Sequence, residues 1–384
     1  MKQVYFATRV RGFFKHLFDT PKLGHKFIYS NSKYYEVNGG KRKLLSRVAK
    51  MRVFDLLGLI QVISSKNKNC DIYGSSNRFL NVDKPYFIYL ENPTALFHYN
   101  LERGKGKIGK KKLQQLLNTD TLKAVICMSN ACYSTFEKLC GEFKGEKKLI
   151  YPYVPRNQKA TYKQIHERCF KKEFNLLFVA QGSAFISKGA LEIIETFKTL
   201  RKQGMIDVNL TILTTVNEID SKLIQEIKSI NGITLLDFKL TYEEMEDLYI
   251  NSSVLLHPTN QDSFALVVLE GMKAALPIIA TKLYAIPEMV KEGQNGFLIE
   301  PKYWFFDEEN IPNPSVWNNR KKTIFSKDID KATVQFLIEK ICFLYEEREV
   351  LERMSLESLR IANSSPFDED TITSQWNDTI SQLG

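Results

Sequence analysis

The strongest constraint on this chain is a repeated alternation. Short apolar runs closed by polar or turn residues are followed, again and again, by stretches of helical period. In the first half the runs are "KFIYS", "CDIYGSS", "PYFIYLE", "KAVICMS" and "KLIYPYV". After one of them, "NACYSTFEKLCGEF" spaces Ala131, Phe136, Leu139 and Phe143 as one face of a helix. A polar, proline-marked connector, "YPYVPRNQKATYKQIHERCFKKE", interrupts the pattern, which then restarts. "FNLLFVA", "VNLTILTT", "ITLLDF", "SVLLHPT", "LPIIAT" and "GQNGFLIEP" read as strands, with helices between them. Thr241 followed by Glu244 predicts a capping box opening one of these helices. Strands alternating with helices imply α/β architecture with parallel sheets. The 384 residues exceed what one core ordinarily supports. The expectation is two doubly wound domains, over 1–165 and 173–365. The aromatic stretch 303–330 fits neither pattern.

Charge divides along the same line. Residues 1–172 hold 34 Lys/Arg against 12 Asp/Glu, a net of +22; the remainder holds 20 against 32, a net of −12. A basic half suits nucleic acid, an anionic membrane or a phosphorylated substrate. "RVRGFFKHLFD" and "GGKRKLLSRVAKMRVFDLLGLI" interleave Lys/Arg with apolar residues at helical spacing. That pattern fits either a helix lying on an anionic bilayer or a core helix with solvated lysines. No nucleic-acid signature accompanies the charge, so nucleic acid is not expected as a partner. The six cysteines form no CxxC pair and lack histidines at metal spacing, which predicts reduced thiols and no metal. The N-terminus shows no cleavage-site pattern, and no apolar run is long enough to span a bilayer. The expectation is a cytoplasmic protein, with peripheral attachment to the inner face of the plasma membrane left open.

The chemistry concentrates in "QDSFALVVLEGMKAALPIIAT", residues 261–281. Ser263 and Ala265 are small, so the amides over Ser263, Phe264, Ala265 and Leu266 can approach a ligand. The unpaired N–H groups and positive dipole end of a helix start there suit a pyrophosphate. Side chains lean toward the helix N-terminus, which aims Glu270 back at such a ligand. Asp262, eight residues earlier, either contacts the ligand or caps the helix. A second constellation, "FVAQGSAFISKGA", has the form strand, Gly/Ser loop, Lys-Gly, helix, and brings forward Gly182, Ser183 and Lys188. It lacks a GxxxxGK[ST] loop, which excludes a P-loop kinase.

Residues 240–301, "LTYEEMEDLYINSSVLLHPTNQDSFALVVLEGMKAALPIIATKLYAIPEMVKEGQNGFLIEP", resemble the donor-binding segment of glycosyltransferase family 4. The resemblance implies a GT-B fold of two Rossmann-like domains facing across a cleft, with a C-terminal helix over 366–384 packing back on the first domain. It implies a retaining, metal-independent transferase moving a sugar from a nucleoside-diphosphate donor to a saccharide or lipid-linked saccharide, in polysaccharide or lipopolysaccharide biosynthesis. No cofactor is implied. Glu270 would hold the nucleotide's ribose, Asp262 would face the transferred sugar and Lys188 would meet the phosphates. Backbone groups at Phe238 and Lys239 would meet the base.

Three departures stand out. Asp262 replaces the family's first Glu, the arginine usual before Lys188 is missing, and Tyr284 stands where glycine is usual. Loop amides with Ser183, or a basic residue from the first domain, would replace the arginine, or activity would be weakened. Those departures keep a second function class in play, a nucleotide-sugar-binding or scaffold protein without turnover. Glu288 reads as a helix-start carboxylate. In the first domain, Glu91, Asn92 and His98 follow a strand where an acceptor would lie, with His98 as the candidate sugar-positioning residue. Gly39–Gly40 resembles the family's glycine turn.

Overall fold

The computed structural model describes residues 1–10, 12–29, 57–66 and 69–383. Gly39, Gly40 and most of the second basic amphipathic stretch lie outside them. The chain forms two compact units: Met1–Tyr153 with Glu309–Pro312 and Glu369–Gly384, and Val154–Glu308 with Asn313–Asp368.

The first unit is built on a parallel six-stranded sheet. Its strands are β1 (Gln3–Phe6), β2 (Lys26–Tyr29), β4 (Ile72–Ser76), β6 (Tyr86–Leu90), β7 (Leu122–Cys127) and β8 (Glu146–Leu149), in the order β2-β1-β4-β6-β7-β8. β3 (Val62–Ser64) and β5 (Phe79–Asn81) form a separate parallel pair. All five residues of β6 are buried, as expected of a strand covered on both faces. β1 escapes the apolar pattern because only Val4 and Phe6 of its four residues are buried. In β4, Gly74 has no substitute: a Cβ there would lie 2.5 Å from the Phe87 ring and 2.8 Å from Phe6.

The helix Gly12–Asp19 carries part of the first basic amphipathic stretch. Its apolar face is not offered to a membrane, because Phe13, Phe14 and Leu17 are buried in the unit's core. Phe14 packs on Phe6 and Tyr89. In the helix Asn130–Cys140 the inward face is Ala131, Cys132, Thr135, Phe136 and Cys140. Leu139 is 36% exposed and is not part of that face, contrary to its spacing. The C-terminal helix Glu369–Gln382 belongs to this unit. Its Trp376 stacks on Tyr89 at 5.7 Å and meets Phe87 edge-on at 5.5 Å. Asn377 accepts from the Gly24 amide and donates to the Lys22 carbonyl, which sets the helix's register.

The second unit holds β9 (Phe174–Val179), β10 (Val208–Thr214), β11 (Ile233–Asp237), β12 (Val254–His257), β13 (Ile278–Thr281) and β14 (Gly296–Ile299). All are parallel, in the order β11-β10-β9-β12-β13-β14. The order reverses between β9 and β12, and in such sheets the crevice beyond the strand ends at that reversal takes the ligand. The expected capping box is present: Glu244 Oε2 accepts from the Thr241 amide at 2.7 Å, and Thr241 Oγ1 from the Glu244 amide at 3.2 Å.

The boundary differs from the expected end of the first domain at 165. The helix Tyr162–Cys169 packs Ile165 and Cys169 into the second unit's core, so the polar connector carries a structural helix of that unit. Stretch 303–330 folds around aromatic stacking, with Trp317 on Phe305 at 4.2 Å and Trp317 Nε1 donating to the Phe305 carbonyl at 2.5 Å. The described cysteines are free thiols, and no helix among the described residues is long and apolar enough to cross a membrane.

Trp376 is the largest buried side chain that the C-terminal helix contributes. Trp376→Ala should destabilise the first unit by about 3–5 kcal/mol, and Trp376→Phe by clearly less. An unchanged denaturation midpoint for Trp376→Ala would remove this helix from the unit's core.

Candidate functional site

The loops after β9 and β12 are stitched together. Gly189 takes φ +84°, and a Cβ on it would lie 2.3 Å from the Pro258 carbonyl oxygen. The Asn260 amide donates to the Ser187 carbonyl at 2.8 Å. This close approach brings Lys188, from the first loop, against Asp262, from the second.

Asp262 is the centre of the site. Its Oδ1 accepts from the amides of Ser263 (2.9 Å), Phe264 (3.4 Å) and Ala265 (2.9 Å). Its Oδ2 accepts from Lys188 Nζ at 2.5 Å and His257 Nε2 at 2.9 Å. Burial alone would raise this carboxyl, but the Lys188 charge and the His257 hydrogen bond outweigh it and hold Asp262 far below the usual carboxylate range. Both oxygens are therefore occupied. Asp262 thus caps the loop and clamps Lys188, the capping role left open by the sequence beside a sugar-facing one. Lys188 Nζ is also held by the Gln261 carbonyl at 2.8 Å.

The amides expected to cradle phosphate change accordingly. Those of Ser263, Phe264 and Ala265 are turned onto Asp262. The Leu266 and Val267 amides open the helix Leu266–Lys273 without an acceptor among the described residues. Ala265 caps that helix in the left-handed region, φ +65° and ψ +63°, an unusual conformation for a residue with a Cβ. The Ser183 amide donates to Glu218 Oε2 at 2.8 Å and is likewise committed. Gly182 is fixed by packing, since a Cβ would meet the Thr215 carbonyl oxygen at 2.4 Å. The Phe238 amide donates to the Thr214 carbonyl and the Lys239 amide to the Asp237 carbonyl. Only the carbonyls of Phe238 and Lys239 could then meet a base, and the Phe238 ring is 42% exposed.

Glu270 sits in the second turn of its helix. Its Oε2 accepts from the Tyr249 hydroxyl at 2.8 Å, and Oε1 has no partner among the described residues. Burial pushes Glu270 up, partly offset by the Tyr249 hydrogen bond; burial and then the Glu270 charge push Tyr249 well up. Behind them lies Arg168, 2% exposed. Its Nη1 donates to the carbonyls of Ile250 (3.2 Å) and Ala274 (3.0 Å), and its Nη2 to Ala275 (2.5 Å). One guanidinium thus satisfies the C-terminal ends of the helices Tyr242–Ile250 and Leu266–Lys273, which carry Tyr249 and Glu270.

Tyr284 is buried with φ +52° and stacks on Phe306 at 4.0 Å, so stretch 303–330 accommodates the bulk that replaces glycine. Glu288 lies in the first turn of the short helix Ile286–Met289. In the first unit, Glu91 accepts from the Tyr99 hydroxyl, and Asn92 caps the turn Pro93–Phe97. His98 Nε2 accepts from the Gln61 amide at 3.0 Å. Burial, then Arg78 and Arg103, lower His98 to about 4, so it is a neutral acceptor tying down the 57–66 segment. His98 belongs to the first unit; Asp262, Lys188 and Glu270 belong to the second.

His257, Tyr249 and Arg168 were missed from sequence. A polar residue closing an all-apolar strand, as in "SVLLHPT", was the available signal for His257. Among the described residues no group of three His, Cys, Asp or Glu is placed to hold a metal ion.

The fold of both units is that of GT-B glycosyltransferases. Residues 173–308 match the family described as glycosyl transferases group 1. N-acetyl-alpha-D-glucosaminyl L-malate synthase of Bacillus anthracis is 28% identical over 153 residues, 36% of this chain and 39% of that protein. D-inositol 3-phosphate glycosyltransferase of Streptomyces scabiei is 34% identical over 58 residues, 15% of this chain and 13% of that protein. The chain thus spans well under half the length of these relatives. Among solved structures, Anabaena HepE in complex with UDP-glucose superposes with a TM-score of 0.62 at 16% identity, covering 100% of both chains. WaaG, a glycosyltransferase involved in lipopolysaccharide biosynthesis, gives 0.60 at 13% identity, covering 99% of this chain and 100% of that one.

A raised carboxyl weighs against the fold once pH rises through its folded pKa, because the native state must then hold a buried charge. Glu270→Gln should therefore raise the thermal midpoint by a few degrees at pH 7.5, with the gain fading as pH falls below the ordinary carboxylate range, where Glu270 is protonated folded or unfolded. A lower midpoint at pH 7.5 would show that the charge is compensated in the fold.

Proposed function

We propose that this chain is a retaining glycosyltransferase that takes a sugar from a nucleoside-diphosphate donor and passes it to a saccharide or lipid-linked saccharide. The observation that carries this reading is the pairing of Glu270 with Tyr249 beside the open helix start at Leu266 and Val267. A carboxylate braced through Oε2, with Oε1 left over, suits a ribose diol. The two amides, with Lys188 once it turns from Asp262, suit the diphosphate. The acceptor oxygen would add to the anomeric carbon on the face from which the sugar–phosphate bond breaks. The acceptor's proton would pass to the departing phosphate, whose charge Lys188 and the amides stabilise. The reaction would need no metal. Polysaccharide or lipopolysaccharide biosynthesis is the setting favoured by the glycosyltransferases of similar fold.

A second reading, a nucleotide-sugar binder without turnover, is favoured by the full occupation of Asp262. Calorimetric titration with uridine, guanosine and adenosine diphosphates, and product assays with their sugars in EDTA, separate the two. We expect micromolar binding of one diphosphate, loss of about tenfold or more in affinity for Glu270→Ala, and turnover that survives EDTA. Binding without product supports the second reading; unchanged affinity in Glu270→Ala removes the ribose assignment; activity restored only by a divalent cation removes metal independence.

An anionic membrane is the proposed location of a lipid-linked acceptor. Leu57 and Ile108 are 51% and 58% exposed, and Gly58 and Gly109 are in close approach beside them. Lys107, Lys110 and Lys111 lie along the helix Lys107–Leu117. Vesicles with 30% phosphatidylglycerol should sediment the protein at low salt, and Ile108→Glu should weaken this severalfold. Equal sedimentation with neutral vesicles would refute the surface.

A further inference from the structure

His257 takes no part in the chemistry above, yet it is 1% exposed and aimed at the centre of the site. Its Nε2–H donates to Asp262 Oδ2 at 2.9 Å, and its Nδ1 is buried with no hydrogen-bond partner among the described residues. The charged groups acting on it are Asp262, from the loop it precedes, and Lys188, from the neighbouring loop. Burial is the main influence that keeps it neutral; the Lys188 charge adds to this, and Asp262 opposes it.

Lys188 has two possible partners, and the structure shows it with one. It is held by Asp262 Oδ2 at 2.5 Å and by the Gln261 carbonyl. Were it to turn toward a diphosphate, Asp262 would lose its cation while remaining partly buried. Losing the opposite charge makes a desolvated carboxylate less stable, even with its hydrogen bonds kept. Oδ1 offers no relief, since three amides already fill it. Oδ2 retains one donor, His257, and that imidazole has an unused lone pair on Nδ1.

We propose that His257 is a positioning residue which accepts a proton when Lys188 leaves Asp262, so that donor binding is coupled to proton uptake. A proton from solvent adds to Nδ1, the imidazolium replaces the ammonium as partner of Asp262, and Lys188 carries its charge to the phosphate. Asp262 then stays in place as the cap of the loop. The inference rests on the reading of this crevice as a nucleoside-diphosphate site.

The test is calorimetric titration of the full chain with uridine, guanosine and adenosine diphosphates at pH 6.5 and 8, in buffers of different ionisation enthalpy. The wild type should take up a substantial fraction of a proton per diphosphate bound. His257→Gln, which can still donate to Asp262 but cannot be protonated, should bind without that uptake. Its affinity should match the wild type at pH 8 and fall about tenfold below it at pH 6.5, the factor corresponding to one unit of pKa change. Should this variant fold poorly, the His257 imidazole resonances of the wild type supply the same readout, moving toward the imidazolium position as diphosphate is added. Equal proton uptake in His257→Gln, or an imidazole that stays neutral on binding, overturns the role of His257 and leaves the donor site standing. Absence of binding by every diphosphate removes both.

Discussion

A single partly buried carboxylate organises the second unit's ligand edge. Asp262 collects five donors, three from the backbone that follows it and two from Lys188 and His257. Each donor lowers the cost of burying its charge, and the carboxylate in turn fixes where the loop goes. The left-handed turn at Ala265 closes a run of three amides, its own included, that share one acceptor oxygen. The helix Leu266–Lys273 therefore begins where Asp262 dictates, and Glu270 is aimed by that beginning.

The same helix is fixed at its other end by Arg168, a buried guanidinium without a carboxylate partner among the described residues. Helix C-termini supply the negative potential it needs, and four of its hydrogen bonds run to backbone carbonyls or Ser355. Tyr249 and Glu270 lie on the two helices that Arg168 joins, so their 2.8 Å hydrogen bond is preorganised from behind. In front of that frame, Lys188 is held by Asp262 and the Gln261 carbonyl.

Much of this was legible beforehand, and for identifiable reasons. The strands of the second unit are apolar runs bounded by turn residues, and the helices have clean amphipathic period, so local pattern and global fold agree. Thr241 and Glu244 are three residues apart and needed only each other to form their capping box. Glu270 could be placed because a side chain on a helix leans toward its N-terminus whatever surrounds it. β1 and the helix Tyr162–Cys169 were less legible, since one is short and the other wears a polar surface over three inward residues.

The sequence by itself determined two parallel-sheet units and the likeness of residues 173–308 to the group 1 glycosyl transferases. Those follow from periodicity and residue order, which act over a few residues at a time. Tertiary structure alone decided which groups are spent inside the protein. Asp262 met Lys188 across 74 positions and His257 across five, and only the approach of two loops at the sheet's reversal point made it a clamp. A hydrogen-bonding group has the same capacity wherever it lies in the chain; what it binds depends on which donors the fold brings within about 3 Å.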